Sequence, residues 1–237
     1  MDGTLVDTEP YWMACEHELV TSHGGTWTQE DAHSIVGFDL LDAAAVIRSR
    51  GGVDMEPTAI VEHLLDGVIA RVRERMPWRP GARRLLHELR QLDVPCALVT
   101  MSWTRLVDAV VEQLDPGTFE AVVTGDAVAN GKPHPEPYLT AAARLGVAPT
   151  DCVAIEDSPT GVASASAAGC VVLAVPNLVG IDRRPGVVLM PSLRKVHPDD
   201  LGTLIASTPL VAPPAEDAPT PARGSRAAAR RRATIGG

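Results

Sequence analysis

The second half of the chain alternates short apolar runs with segments of helical periodicity, and this alternation restricts the fold more than any other feature of the sequence. The apolar runs are rich in β-branched residues and bounded by turn residues, so we predict that they are strands. The predicted strands are residues 94–99, 121–124, 152–155, 171–174 and 187–189, and the predicted helices are residues 82–92, 104–114, 136–145 and 160–168. This pattern predicts an α/β fold with a parallel sheet covered by helices on both faces.

Residues 11–79 show helical periodicity without any strand pattern. Their apolar residues recur every three to four positions, which is typical of amphipathic helices. The proline-rich stretch 77–81 interrupts this periodicity and marks the return to the alternating pattern. We therefore predict a helical insertion at residues 11–79 within an α/β core formed by residues 1–10 and 80–207.

The composition excludes some classes of function and predicts a location. The net charge of −9 makes nucleic-acid binding an unfavourable interpretation, and no apolar run approaches the roughly 20 residues of a membrane helix. The first residues lack the basic and apolar regions of a signal peptide, so we expect a cytoplasmic protein. Residues 208–237 are rich in Pro, Ala and Arg and are predicted to be disordered. The arginines at 230–232 are either solvated or a contact for an acidic partner.

The four cysteines are predicted to be buried structural residues. Cys15, Cys96, Cys152 and Cys170 lack the close pairing of a zinc or redox site, and three of them lie in apolar runs.

Four polar segments are predicted to meet at one edge of the sheet. They are Asp2-Gly3-Thr4, Thr100-Met101-Ser102, Gly131-Lys132-Pro133 and Glu156-Asp157-Ser158. Two of these segments directly follow predicted strands, and ligands of open α/β sheets bind at the carboxyl ends of strands. Each segment also has a purely structural interpretation. Asp2-Gly3 fits an ordinary turn, the hydroxyls of residues 100–102 fit helix capping, and Lys132 fits a solvated loop residue.

The adjacent carboxylates of Glu156 and Asp157 are the most informative of these segments. Two carboxylates at the end of a buried strand repel each other unless a cation compensates them. Mg²⁺ is the natural candidate because it is held by few carboxylates together with water and phosphate. The alternative is a helix N-terminus capped by Asp157 or Ser158.

The order of these motifs resembles that of the haloacid-dehalogenase-like (HAD) phosphohydrolases. The segment Asp7-Thr8-Glu9-Pro10 is similar to the cap entry of the helical-cap sugar-phosphate phosphatases and β-phosphoglucomutases within that superfamily. The resemblance implies a Rossmann-like core with an inserted α-helical cap domain over residues 11–79. It also implies a Mg²⁺-dependent phosphoric monoester hydrolase that acts on a small phosphorylated metabolite, with no nucleic-acid or membrane partner. We expect a monomer.

The resemblance assigns a role to each motif. Asp2 would be the general acid/base, and its main-chain carbonyl would hold Mg²⁺ together with Glu156 and Asp157. The substrate-binding residues would be Gly3, Thr4, Thr100, Ser102 and Lys132. Trp12, His17, Gly37 and Phe38 are candidates for contact with the rest of the substrate.

The same resemblance implies that the nucleophile precedes Met1. In the family motif Asp-x-Asp-Gly-Thr the first Asp attacks phosphorus, and Met1 occupies the x position here. The family places the preceding strand at the centre of the sheet, between the strands matched by residues 96–99 and 152–155. We therefore expect the central first strand to be missing from this chain, the natural protein to begin upstream, and the chain as written to be inactive or impaired.

Three other functions remain open at this point. β-Phosphoglucomutases carry a His where this chain has Trp12 and an Arg near Leu40, so hydrolysis is favoured over the mutase reaction. A pseudoenzyme would keep the fold without catalysis. An interaction protein would bind its partner through residues 209–237.

Overall fold

The computed structural model describes residues 1–36 and 38–207, so the predicted tail at 208–237 lies outside the described residues. Helices and strands alternate as predicted for an α/β protein. The helices are α1 Glu9–Ser22, α2 Gln29–Ser34, α3 Leu40–Gly51, α4 Pro57–Glu74, α5 Ala82–Gln91, α6 Thr104–Val111, α7 Glu136–Leu145, α8 Pro159–Ala167 and α9 Pro198–Ser207. The strands are β1 Ala97–Val99, β2 Ala121–Val123, β3 Val153–Glu156, β4 Val171–Ala174 and β5 Val187–Leu189.

Helices α1 and α3 pack against α4, which also contacts α6, while α2 contacts α1. The apolar stripe of α4 at residues 60, 64, 65, 68 and 72 is buried. Close approach between the helix ends requires glycine, because a Cβ on Gly25 would lie 2.1 Å from the carbonyl oxygen of Gly51. None of the helices in the described residues is both long and apolar enough to cross a membrane.

Two backbone segments connect these helices to the rest of the chain, and they run side by side. The amide of Asp7 donates to the carbonyl of Pro77 at 2.8 Å, and the amide of Arg79 donates to the carbonyl of Leu5 at 2.9 Å. We call residues 5–7 and 77–79 the paired linker. It holds the beginning of α1 and the segment that follows α4 next to each other.

All strands pair in parallel, which confirms the prediction. β1 pairs with β2, while β3 pairs with β4 and β4 with β5. β1 is shorter than the predicted strand 94–99 because Pro95 has no amide hydrogen to donate to a neighbouring strand. Helix α9 was not predicted from the sequence.

An apolar cavity of about 440 Å³ separates β1 from β3. Along the part of the chain that the structure describes, neither strand pairs on the side that faces the other. Side chains of α5, α7 and α9 close the cavity, and Met1, Thr4 and Leu5 lie at its end. The resemblance places the central first strand at this position in the sheet.

The prediction that all four cysteines are buried is wrong for two of them. Cys15 and Cys170 are buried as expected, but Cys96 and Cys152 are only half-buried. Both of the half-buried residues line the cavity between β1 and β3. All four thiols are free.

Candidate functional site

The carboxyl ends of β1 and β3 and the N-terminal loop converge on one group of polar side chains. β1 ends at Val99, which brings Thr100 and Ser102 to the sheet edge, and β3 ends at Glu156, which is followed by Asp157. The Ser102 hydroxyl donates to Asp2 Oδ2 at 2.5 Å, so the N-terminal loop contacts the end of β1. Every residue that the sequence singled out for chemistry lies at this edge.

Asp2 is held by hydroxyl groups from two directions. Ser102 donates to one carboxylate oxygen and Thr8 donates to the other. Thr100 in turn donates to Ser102 at 3.0 Å, which fixes the orientation of that hydroxyl. These contacts position a carboxylate that is only partly buried and can therefore reach a bound substrate.

Thr8 was not among the predicted site residues. It precedes α1 at the position where a threonine usually caps a helix, but its side chain makes no capping hydrogen bond. Its hydroxyl contacts Asp2 instead, and the residue is 1% exposed. No local sequence pattern distinguishes this contact from ordinary helix capping.

Lys132 and Glu156 form a buried ion pair. The Lys132 Nζ donates to Glu156 Oε1 at 2.6 Å and to the carbonyl of Val99 at 3.2 Å. The side chains are 10% and 5% exposed, so the two charges compensate each other with little help from solvent. Lys132 therefore already supplies part of the compensating positive charge that the Glu156-Asp157 pair was predicted to need.

Tyr138 of α7 is a second partner of Glu156 that the sequence did not reveal. Its hydroxyl donates to the same oxygen, Oε1, that accepts from Lys132. Burial and the negative charge of Glu156 raise the pKa of Tyr138 well above its usual value, which keeps the phenol protonated. A tyrosine on an apolar helix face is usually a packing residue, although a buried hydroxyl does need a partner.

Asp157 lies against the N-terminal loop. Thr4 donates to its Oδ1 at 2.9 Å, and a Cβ on Gly3 would lie 2.0 Å from its Oδ2. Gly3 also has a φ of 75°, so both the backbone conformation and the close approach require glycine. Burial raises the pKa of the Asp157 carboxyl. A nearby cation would lower this pKa and stabilise the charged form.

These carboxylates fit a magnesium site that has few protein ligands. Among the described residues, no group of three or more His, Cys, Asp or Glu side chains is arranged to hold a metal ion. Mg²⁺ does not need such a group, because it commonly binds through one or two carboxylates, water and substrate phosphate. Asp157 offers a buried carboxylate with a raised pKa, whereas Glu156 Oε1 is occupied by Lys132 and Tyr138.

Of the four residues that we expected to contact the rest of the substrate, the structure describes three. Trp12 is half-buried and packs against the core, and His17 Nδ1 lies 3.1 Å from the carbonyl of Trp27. Phe38 is 51% exposed, and Gly37 lies outside the described residues. Of these residues, His17 and Phe38 are exposed in the structure.

Two carboxylates of α1 have raised pKa values, and one of them, Glu9, lies close enough to Asp2 to be affected by its charge. Burial, followed by the charges of Glu16, Asp2 and Asp7, raises the pKa of Glu9 to about 7. Burial also raises the pKa of Glu16 to about 6, although the indole of Trp27 donates to it at 3.1 Å. Glu9, which lies near Asp2, therefore becomes negatively charged as pH rises through about 7.

Replacing Glu9 by glutamine is expected to stabilise the protein at pH 8 and to change little at pH 4. The folded-state pKa of about 7 exceeds the ordinary value of 4.5, so the folded protein binds the proton more tightly. Stability is then lost as pH rises from about 4.5 to about 7. Glutamine avoids this cost, which we place at roughly 1–2 kcal/mol after allowing for partial exposure. Urea denaturation at both pH values measures the difference.

The exposed Glu120 provides the matched control for this substitution. Glu120→Gln should change the free energy of unfolding little at either pH. An equal gain for Glu9→Gln at pH 4 and pH 8 would contradict the electrostatic explanation.

Comparison with known proteins agrees with the resemblance that the sequence motifs indicated. The sequence model of the haloacid dehalogenase-like hydrolases matches residues 1–175. Hexitol phosphatase A of Escherichia coli (strain K12) is 33% identical over 187 residues, which cover 74% of this chain and 80% of that protein. The bifunctional riboflavin kinase/FMN phosphatase of Arabidopsis thaliana is 31% identical over 183 residues, which cover 75% of this chain. The chain spans about half, 47%, of the length of that enzyme.

A solved structure supports the same fold. The crystal structure of CbbY from Rhodobacter sphaeroides in complex with phosphate has a TM-score of 0.74 to this chain. The sequences are 24% identical, and the match covers 85% of this chain and 96% of that one. Likeness at this level of identity concerns the fold alone.

Proposed function

The chain belongs to the haloacid dehalogenase-like hydrolases, and we propose that it hydrolyses a small phosphate monoester, a sugar phosphate, with the help of Mg²⁺. The observation that carries this proposal is the convergence of Asp2, Lys132 and Asp157 at one end of β1 and β3. A general acid/base, a cation for the phosphoryl group and a buried carboxylate for a metal are what hydrolysis of a phosphate ester requires.

Mg²⁺ would be held by Asp157 and by the main-chain carbonyl of Asp2, with Glu156 nearby. When bound, it supplies positive charge that offsets the phosphate and orients the phosphoryl group. The raised pKa of Asp157 supports this assignment. Burial outweighs the lowering effects of the Met1 ammonium, the Thr4 hydrogen bond and Lys132, so a further cation would stabilise the charged form.

The proposed reaction has two steps. A carboxylate oxygen attacks phosphorus, the ester P–O bond breaks, and the leaving alkoxide takes a proton from Asp2. Water then attacks phosphorus while Asp2 takes a proton from it, the P–O bond to the attacking carboxylate breaks, and orthophosphate and the free carboxylate are released. Lys132 would stabilise the negative charge of the phosphoryl group, and Thr100 and Ser102 would donate to its oxygens.

We propose that the attacking carboxylate belongs to an extended segment that precedes Met1 and lies in the cavity between β1 and β3. Three features support this position. The cavity is apolar, both flanking strands have an unpaired edge towards it, and Met1 lies at its end. A parallel strand there would pair with both neighbours and end beside Asp2.

Hydrolysis is favoured over a mutase reaction by two side chains. Trp12 has no imidazole and Leu40 has no guanidinium, so neither can serve a sugar phosphate as the residues of β-phosphoglucomutases would. The mutase is the second candidate and the pseudoenzyme is the third.

The proposed function is tested by measuring orthophosphate release from a panel of sugar phosphates. The protein should carry the residues encoded directly upstream of Met1, and each substrate is assayed with Mg²⁺ and with a chelator. We expect hydrolysis of at least one substrate that the chelator abolishes. Absence of turnover on every substrate, by a folded protein that carries an upstream Asp, would contradict the proposal.

A further inference from the structure

The contacts of Tyr138 point to a role that rests on the proposed function but is not part of it. Glu156 Oε1 accepts hydrogen bonds from two donors, Lys132 and Tyr138. If Lys132 binds the phosphoryl group of a substrate, its ammonium must share or leave Glu156. Glu156 is 3% exposed, so water is poorly placed to replace the lost partner.

Tyr138 contacts both members of the ion pair. Its hydroxyl donates to the carboxylate of Glu156, and the Lys132 Nζ lies 5.1 Å from the centroid of its ring. Cation–π attraction at this distance holds the ammonium near the phenol without using its hydroxyl. The hydroxyl therefore stays available to Glu156 whichever partner Lys132 takes.

The remaining side of Glu156 is closed by α8. A Cβ on Gly161 would lie 1.9 Å from Glu156 Oε2, so the carboxylate is packed against the first turn of that helix. Glu156 cannot turn towards solvent without leaving this contact. Its side-chain hydrogen-bond donors in the described residues are Lys132 and Tyr138, and the Met1 ammonium adds a through-space attraction.

We propose that Tyr138 is a positioning residue whose hydroxyl keeps Glu156 paired, so that Lys132 can move from Glu156 to the phosphoryl group of a ligand. Without that hydroxyl, Lys132 would be the one remaining side-chain hydrogen-bond donor to the buried Glu156 carboxylate among the described residues. Its release to a ligand would then be unfavourable, because breaking a buried ion pair leaves an uncompensated charge.

The first test needs neither ligand nor activity. We would compare the melting temperatures of three variants, Tyr138→Phe, Lys132→Met and the double variant Tyr138→Phe/Lys132→Met. Each is made once with Glu156 retained, which we call the natural background, and once with Glu156→Gln. In the natural background, Tyr138→Phe should lower Tm by roughly 3–8 °C. The double variant should lose more than the sum of the two single losses, because Glu156 then has no donor. With Glu156→Gln the two losses should add.

Additive losses in the natural background would overturn the proposal, because they would show that the two donors do not substitute for each other. The same excess loss with Glu156→Gln would overturn it as well, since the effect would then not depend on the charge. If Tyr138→Phe does not fold, the Glu156→Gln/Tyr138→Phe variant must fold, because its buried acceptor carries no charge. Failure of both variants would also contradict the proposal.

The second test measures binding of orthophosphate in the presence of Mg²⁺ by isothermal titration calorimetry. Tyr138→Phe should weaken binding about tenfold, which corresponds to about 1.4 kcal/mol. A purely structural role would leave the affinity of the folded variant unchanged, and that result would overturn the proposal. If the natural protein does not bind orthophosphate at all, the proposed function fails, and the melting temperatures alone decide the role of Tyr138.

Discussion

Extending the chain before Met1 with an apolar strand that ends in Asp is expected to raise the rate of phosphate release by at least about 10³-fold. The cavity between β1 and β3 is apolar and about 440 Å³ in volume, and each of these strands has one unpaired edge towards it. A strand in this position would complete the sheet and bring a carboxylate next to Asp2. Both proteins are assayed for orthophosphate release from the same sugar phosphates under identical conditions.

An extension that ends in Asn is the control for this prediction. It should raise the melting temperature as much as the Asp extension, because it fills the same cavity and pairs the same edges. Its rate of phosphate release should stay at the level of the unextended chain. If both extensions stabilise the protein and neither releases phosphate, the pseudoenzyme becomes the better assignment.

Replacing Asp2 by asparagine in the extended protein is expected to lower kcat by about 10²–10⁴-fold. Asparagine preserves the size of the side chain, and its single amide oxygen can still accept from either Ser102 or Thr8. It can neither give a proton to the leaving oxygen nor take one from water. Steady-state kinetics on the best substrate measure the loss. The apparent affinity for orthophosphate should change much less than kcat.

Asp7 offers a matched control for the same substitution. It lies in the same N-terminal region, and its backbone amide donates to the carbonyl of Pro77, while its side chain has no assigned role. We expect Asp7→Asn to change kcat less than about threefold. Equal losses for the two variants would show that Asp2 contributes through local folding rather than through proton transfer.

The alternating pattern of the sequence predicted most of the core of the fold. Strand positions followed from short β-branched runs, and all five were found in parallel pairing. The exact bounds did not follow, because a strand ends where its pairing ends. The run at 94–99 is paired only from Ala97, since Pro95 interrupts the edge and the other side of the strand faces the cavity.

The residues of the candidate site at or after strand ends were predictable from the sequence. The residues in a helix or directly before one were not. Thr100, Glu156 and Asp157 were found because strand ends share one edge of a parallel sheet. Thr8 and Tyr138 were missed because their hydroxyls point at the site through tertiary contacts that leave no local pattern. Lys132 was predicted at the same edge as a candidate phosphate-binding residue, but the ion pair that it forms with Glu156 was not predicted.

The paired linker has a consequence for how α1–α4 can move. Residues 5–7 and 77–79 are hydrogen-bonded to each other at two points, so the two connections bend together as one narrow ribbon. We expect the four helices to rotate mainly about a single axis instead of translating freely. Thr8 follows this ribbon directly and donates to Asp2, so the same rotation would also break or restore a hydrogen bond to the proposed acid/base. Opening of the site and reorientation of its proton donor would then occur together, in a single motion.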